Sequence, residues 1–166
     1  METKDKIFIT IALFMTIIGF SLSLGSISSF IAMNVVAPQP LLPDDFVIWQ
    51  RYFISSIMNY VTVPAMVLFL LGNGLFVFLK GTKKKTITLF LLSVIICING
   101  LFFIVPTAYK ANTYTIHKNY LEQHWNAYLI EKSLEDTLGG INMLLLLVYL
   151  FIVIYFAINN NLKNMK

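Results

Sequence analysis

Residues His117, Leu121, His124, Tyr128, Glu131 and Glu135 recur at alternating four- and three-residue steps. That spacing sets side chains on one face of a helix. Histidines and carboxylates on one face are the raw material of a metal site. The distances argue against the simplest version. His117 and His124 are seven residues apart, about 10 Å along a helix axis. Neither has a histidine or carboxylate four residues away, as a helical zinc site needs. Glu131 and Glu135 are spaced to share a site, but two carboxylates alone select weakly among cations. The segment from His117 to Thr137 has no glycine or proline and reads as a solvated interfacial helix with no resident metal. Tyr109, Tyr114, Tyr120, Trp125 and Tyr128 fit an aromatic belt at headgroup level.

A second set of polar residues interrupts long apolar runs: Arg51 and Asn59, then Asn99 and Thr107, then Glu135, Asp136 and Asn142. Polar groups in hydrocarbon are costly and turn toward a bundle interior or a wet cavity. Arg51, Asn59, Asn99, Glu131, Glu135 and Asn142 are therefore the candidate lining of a polar pocket open to the extracytoplasmic side. Arg51 keeps its charge and fits a planar carboxylate, for which Glu131, Glu135 and Asp136 are available. The simplest reading is that it snorkels to the headgroups; the carboxylate pair comes next and a ligand contact last. The asparagines suit interhelical hydrogen bonds. Asn73 is the strong polar exception at the other end of the slab. No apolar run holds a histidine, which leaves intramembrane haem without that common axial ligand. A serine–histidine–acid arrangement is not evident. Cys97 is the single cysteine, so no intrachain disulfide forms, and it reads as a small packing residue. No cofactor is expected.

The elements that must position these groups follow from composition. The chain has 166 residues, 58% of them hydrophobic and only 12% charged, with mean hydropathy +0.78. A soluble domain carries about 25% charge. This rules out a free cytosolic enzyme and a disordered chain, and it leaves the +4 net charge without a nucleic-acid role. A membrane-crossing helix needs about 20 mainly apolar residues. Four segments qualify, at about 7–33, 47–79, 86–108 and 138–158, with an outer loop over 109–137. The fold class expected is all-α, a four-transmembrane-helix bundle with an extracytoplasmic helical segment before the last span, forming one integral membrane domain over 1–166. The uncharged stretch from Ile7 to Ala37 is too long for the apolar core of a signal peptide and reads as a retained first span. No internal repeat is apparent, so an inverted-repeat transporter is not supported.

Lysine and arginine set the orientation. One end gathers Lys4, Lys6, Lys80, Lys83, Lys84, Lys85, Lys163 and Lys166 against only Glu2 and Asp5. The other holds Arg51, Lys110, Lys118 and Lys132 against six carboxylates. Both termini are expected in the cytoplasm, in the cell membrane, with the Lys80–Lys85 turn at anionic headgroups. Ser21, Gly25 and Ser29 form a four-residue-spaced stripe of small residues, and Gly19 and Ser23 form another such pair; either lets a second helix approach closely. The lipid bilayer is the expected partner, and the stripe suits a helix of this chain, another membrane protein or a second copy. Pro64 should kink the second span, and Pro106 should bend or end the third. The Pro38–Asp45 connection cannot continue a helix.

An arginine early in the second span (Arg51) and the Trp125-Asn126 pair ahead of the fourth, within HWNAYLIEKSLEDTLGGIN, resemble the anthrone oxygenase-like family of small four-span membrane proteins. Glu131 and Lys132 stand where that family commonly carries an arginine, so no catalytic residue is carried over. The resemblance implies a four-helix bundle and cofactor-free oxidation of an aromatic substrate. The residues themselves favour an accessory or small-ligand-binding membrane component, with the oxidoreductase as the alternative.

Overall fold

The computed structural model describes residues 3–34, 44–80 and 83–164. Most of the proline-rich connection, and Gly81-Thr82 of the basic turn, lie outside the described residues. The chain forms α1 (Thr3–Asn34), α2 (Asp44–Ile57), a π-helical turn (Met58–Thr62), α3 (Val63–Lys80), α4 (Lys84–Ile98), a second π-helical turn (Asn99–Ile104), α5 (Val105–Asn112), α6 (Lys118–Gln123) and α7 (Trp125–Asn164). No strand occurs among the described residues. Lipid offers backbone groups no hydrogen-bond partner, so apolar segments satisfy them internally as helix.

Among the described residues, four helices are long and apolar enough to cross a membrane: Asp5–Ser29, Val47–Lys80, Lys84–Asn112 and Trp125–Asn159. The shortest, at 25 residues, spans about 37 Å against a hydrocarbon core of about 30 Å. The expected all-α four-helix architecture is the one observed. Large apolar side chains such as Phe14, Phe78, Phe102 and Phe151 lie on the outside of the bundle. In water this would be a liability; in lipid it is the required surface.

Helix α1 packs chiefly on α3, α3 on α4, and α4 on α7, while α7 also lies against α5 and more lightly against α1. Ile27, Met66, Phe69, Ile96, Cys97, Leu146 and Tyr149 form the central core. Toward the tyrosine-rich end a second cluster holds Ile54, Met58, Ile104 and Ala108. A third, of Val47, Ala111, Leu121 and Tyr128, closes that end.

Two glycines explain the intimacy of α1 with α3. A Cβ on Gly19 would stand 2.7 Å from the Ala65 carbonyl oxygen, and one on Gly72 would stand 2.9 Å from that of Ala12. Each helix thus presents one glycine to the other's backbone, the geometry small residues allow in membranes. Ala12, Thr16, Gly19, Ser23 and Ser26 make up this buried face of α1. Ser21 and Gly25 are exposed, Ser29 is half-buried, and a Cβ on Gly25 would meet nothing within 4 Å. The Gly19–Ser23 pair packs inside this chain; the Ser21-Gly25-Ser29 stripe faces away from it.

The prolines act through wide turns. A π-helical turn immediately precedes each of Val63-Pro64 and Val105-Pro106. The Val63 N–H reaches Met58 O, and the Val105 N–H reaches Gly100 O, five residues back in each case. Widening the turn relieves the clash of the proline ring with the preceding carbonyls and absorbs the missing N–H. Both spans therefore continue through their prolines.

The segment 117–137 is not one helix. His124 separates α6 from α7 at φ −112°, ψ 20°. The His124 ring stacks on Tyr120 at 4.2 Å between centroids, and His117 caps α6 by accepting the Tyr120 N–H at Nδ1, 3.1 Å away. Helix α7, of 40 residues, is about 60 Å long, twice the hydrocarbon thickness. It is therefore longer than a single crossing requires.

Candidate functional site

The polar residues of the tyrosine-rich end are anchored on three spans. Asn99, at the start of the second π turn, donates from Nδ2 to the Leu138 carbonyl (3.2 Å) and to Asn142 Oδ1 (3.3 Å), joining the third span to α7. Asn59 accepts a hydrogen bond from the Tyr109 hydroxyl on an exposed face. Glu131 pairs with Lys110 of α5. Glu135 Oε2 accepts from Lys132 Nζ at 2.9 Å, and Lys132 also meets Asp136 Oδ1 at 3.1 Å. Lys132 and Glu135 are 7% and 3% exposed, so this is a buried ion pair within α7.

Of the six candidate pocket residues, then, Asn99 and Asn142 come together directly. Glu131 and Glu135 sit one turn apart and serve different lysines. Arg51 is half-buried, and among the described residues no carboxylate pairs with it. Its carbonyl instead accepts from Asn112 Nδ2 (3.0 Å), which also donates to Ser55 Oγ (3.0 Å). Asn112 and buried Gln50 were not singled out in the sequence, and Lys132 was not among the candidate pocket residues. For Lys132 the signal was there: carboxylates three and four residues ahead. Among the described residues, the buried side-chain polar atoms without a hydrogen-bond partner are Ser23 Oγ, Gln50 Oε1, Glu135 Oε1 and Asn142 Nδ2. Among the described residues no group of three or more histidine, cysteine, aspartate or glutamate side chains is placed to hold a metal.

At the lysine-rich end the bundle contains a cavity of about 410 Å³, within the roughly 300–1,000 Å³ usual for ligand sites. All four spans line it, through Ile17 and Phe20 of α1, Phe76 of α3, Leu89 of α4, and Leu150 and Val153 of α7. It lies beside the seam where α1 and α7 touch only lightly. Four polar residues also stand in its wall: Thr16, Asn73, Thr86 and Tyr149. Each is satisfied within the protein. Thr16 Oγ1 donates to Ala12 O at 2.9 Å and Thr86 Oγ1 to Lys83 O at 2.9 Å. Asn73 Nδ2 donates to Phe69 O at 2.9 Å, and its Oδ1 accepts from the Tyr149 hydroxyl at 2.8 Å. The Tyr149 ring is held edge-on to Phe69, 4.8 Å between centroids. With its polar atoms turned into such bonds, the wall offers an occupant mainly hydrocarbon.

Fold and site together define a four-span, all-α membrane bundle with a polar-braced end and a hydrocarbon-walled cavity at the other. No protein-family model, curated protein or solved structure matches the chain.

Proposed function

We propose that this protein is a non-enzymatic membrane component that holds a small apolar ligand within its helix bundle. The observation that carries this reading is the cavity: four spans converge on it, and its polar wall atoms are already paired. The asparagines of the tyrosine-rich end and Glu131 support the same view, because Asn59, Asn99, Asn112 and Glu131 tie helices to one another through hydrogen bonds and one ion pair. A ligand seated there binds only the folded bundle. Held at a hundredfold excess over its Kd, a long-chain alcohol adds about 2.7 kcal/mol of stability, read as a rise in melting temperature of the full chain in mild detergent. Leu89→Trp, which fills the cavity, should remove that rise while leaving the chain folded. A panel of apolar probes that shifts nothing in the unsubstituted protein would refute the reading.

One observation favours the alternative, a cofactor-free oxidoreductase acting on an aromatic substrate in the manner of the anthrone oxygenase-like family. Arg51 is half-buried with no carboxylate beside it among the described residues, as a substrate-facing guanidinium would be. Arg51→Ala separates the two. Loss of aromatic oxidation at normal membrane levels supports the enzyme, and loss of protein supports a structural arginine.

A further inference from the structure

We infer that the occupant of the cavity is an acyl chain of an anionic phospholipid, with its phosphate at the lysine run that precedes α4. The inference rests on the ligand-binding reading above and names the ligand class. Thr86, which lines the cavity, follows Lys83, Lys84 and Lys85 directly and stands in the first turn of α4. On α3, Phe76 lines the cavity one turn before Lys80. On α1 the lining runs from Leu13 to Phe20, about 10 Å along the helix axis. The cavity is therefore a hydrocarbon-lined slot, open along the α1–α7 seam where Leu13, Ile17, Leu150 and Val153 are exposed, with its α3 and α4 walls ending within a turn of lysines.

Charge and position select one class of molecule. Lys83 and Lys84 are exposed, beside the slot. Lys85 Nζ sits 5.2 Å above the Phe156 ring of α7, which ties the lysine run to the helix forming the opposite wall. A membrane-embedded slot with a cationic rim fits an amphiphile with a long chain and a negative head. Juxtamembrane lysines attract anionic headgroups, and an apolar pocket accepts the chain without leaving a polar group unpaired. A neutral lipid would fill the slot but gain nothing at the rim.

The experiment is native mass spectrometry of the full chain in mild detergent. Phosphatidylglycerol, or phosphatidylcholine with the same acyl chains, is added at equal concentration. The unsubstituted protein should retain phosphatidylglycerol about tenfold in preference. The exposed pair Lys83→Gln/Lys84→Gln should lose the preference yet keep chain binding. Leu89→Trp, and independently Val153→Trp, should lose both lipids with circular dichroism unchanged. Equal retention of the two lipids by the unsubstituted protein overturns the headgroup assignment. Retention of a long-chain alcohol but of neither phospholipid does the same, and both leave the ligand-binding reading standing. A phosphatidylglycerol preference that survives both tryptophan variants places the lipid on the surface lysines alone and overturns the slot. Binding of no apolar molecule at all sinks the parent reading as well.

Discussion

At the residue scale the strongest constraint is the charge held inside α7. Lys132 and Glu135 are almost fully buried, three residues apart, with Asp136 as the second acceptor for Lys132. An ion pair in a low-dielectric setting gives little net stability, but removing one partner strands the other. Lys132→Met should therefore destabilise the bundle by about 3–5 kcal/mol, measured by denaturant titration in mild detergent. Lys132→Met combined with Glu135→Leu should regain most of that loss. If the single variant is as stable as the parent, Glu135 is not held by Lys132. Arg51, Asn59, Asn99 and Asn142 were readable as polar interruptions of apolar runs, whereas Asn112 and Lys132, outside those runs, were not. The partners of the polar residues were not readable, apart from pairs within one helix such as Lys132–Glu135. Asn99 meets Asn142 across 43 residues, and Asn112 meets Arg51 across 61. Such contacts depend on how each span is rotated about its axis, which a run of apolar residues leaves open.

At the scale of elements, two small-residue faces on one helix have different roles. Gly19 on α1 and Gly72 on α3 sit where a Cβ would strike the opposite backbone, and backbone cannot move aside as a side chain tip can. Gly72→Leu should weaken the α1–α3 pairing by at least the 1–3 kcal/mol typical of overpacking. Gly25→Leu, on the outward stripe, should stay within about 0.5 kcal/mol of the parent. The pair of thermal melts in detergent checks this, and equal losses would mean that α1 is rotated from the arrangement described. Spacing alone identified both faces as surfaces for close approach. It could not rank them, because Ser21-Gly25-Ser29 and Gly19-Ser23 carry the same four-residue signal. The three earlier spans lie close to the limits that hydropathy placed on them. The fourth begins earlier, because α7 runs unbroken from Trp125 through a polar segment that an apolar count excludes. The break at His124 was illegible for a related reason: it turns on ring stacking with Tyr120, and no glycine or proline marks it. The prolines were visible, but their consequence was a wide turn within a continuing span.

At the scale of the whole molecule, the two ends differ in how their charges are answered. Of the four basic residues at the tyrosine-rich end, Lys110, Lys118 and Lys132 each pair with a carboxylate: Glu131, Glu122, and Glu135 with Asp136. At the other end Lys6 near the start of α1 and Lys83 and Lys84 at the start of α4 are exposed. Lysine and arginine near span ends are retained on the cytoplasmic side, and their count sets the orientation. The expected outcome is a cytoplasmic lysine end. Single cysteines introduced by Lys84→Cys and by Glu122→Cys, each in a Cys97→Ala background, test it with a membrane-impermeant maleimide on intact cells. Glu122→Cys should label at once, and Lys84→Cys only after permeabilisation. The reverse pattern would place the cavity in the outer leaflet. Because the slot and the lysine run occupy the same helix ends, the lipid proposed for the cavity would then have to come from that leaflet too, so the labelling result fixes which monolayer supplies it.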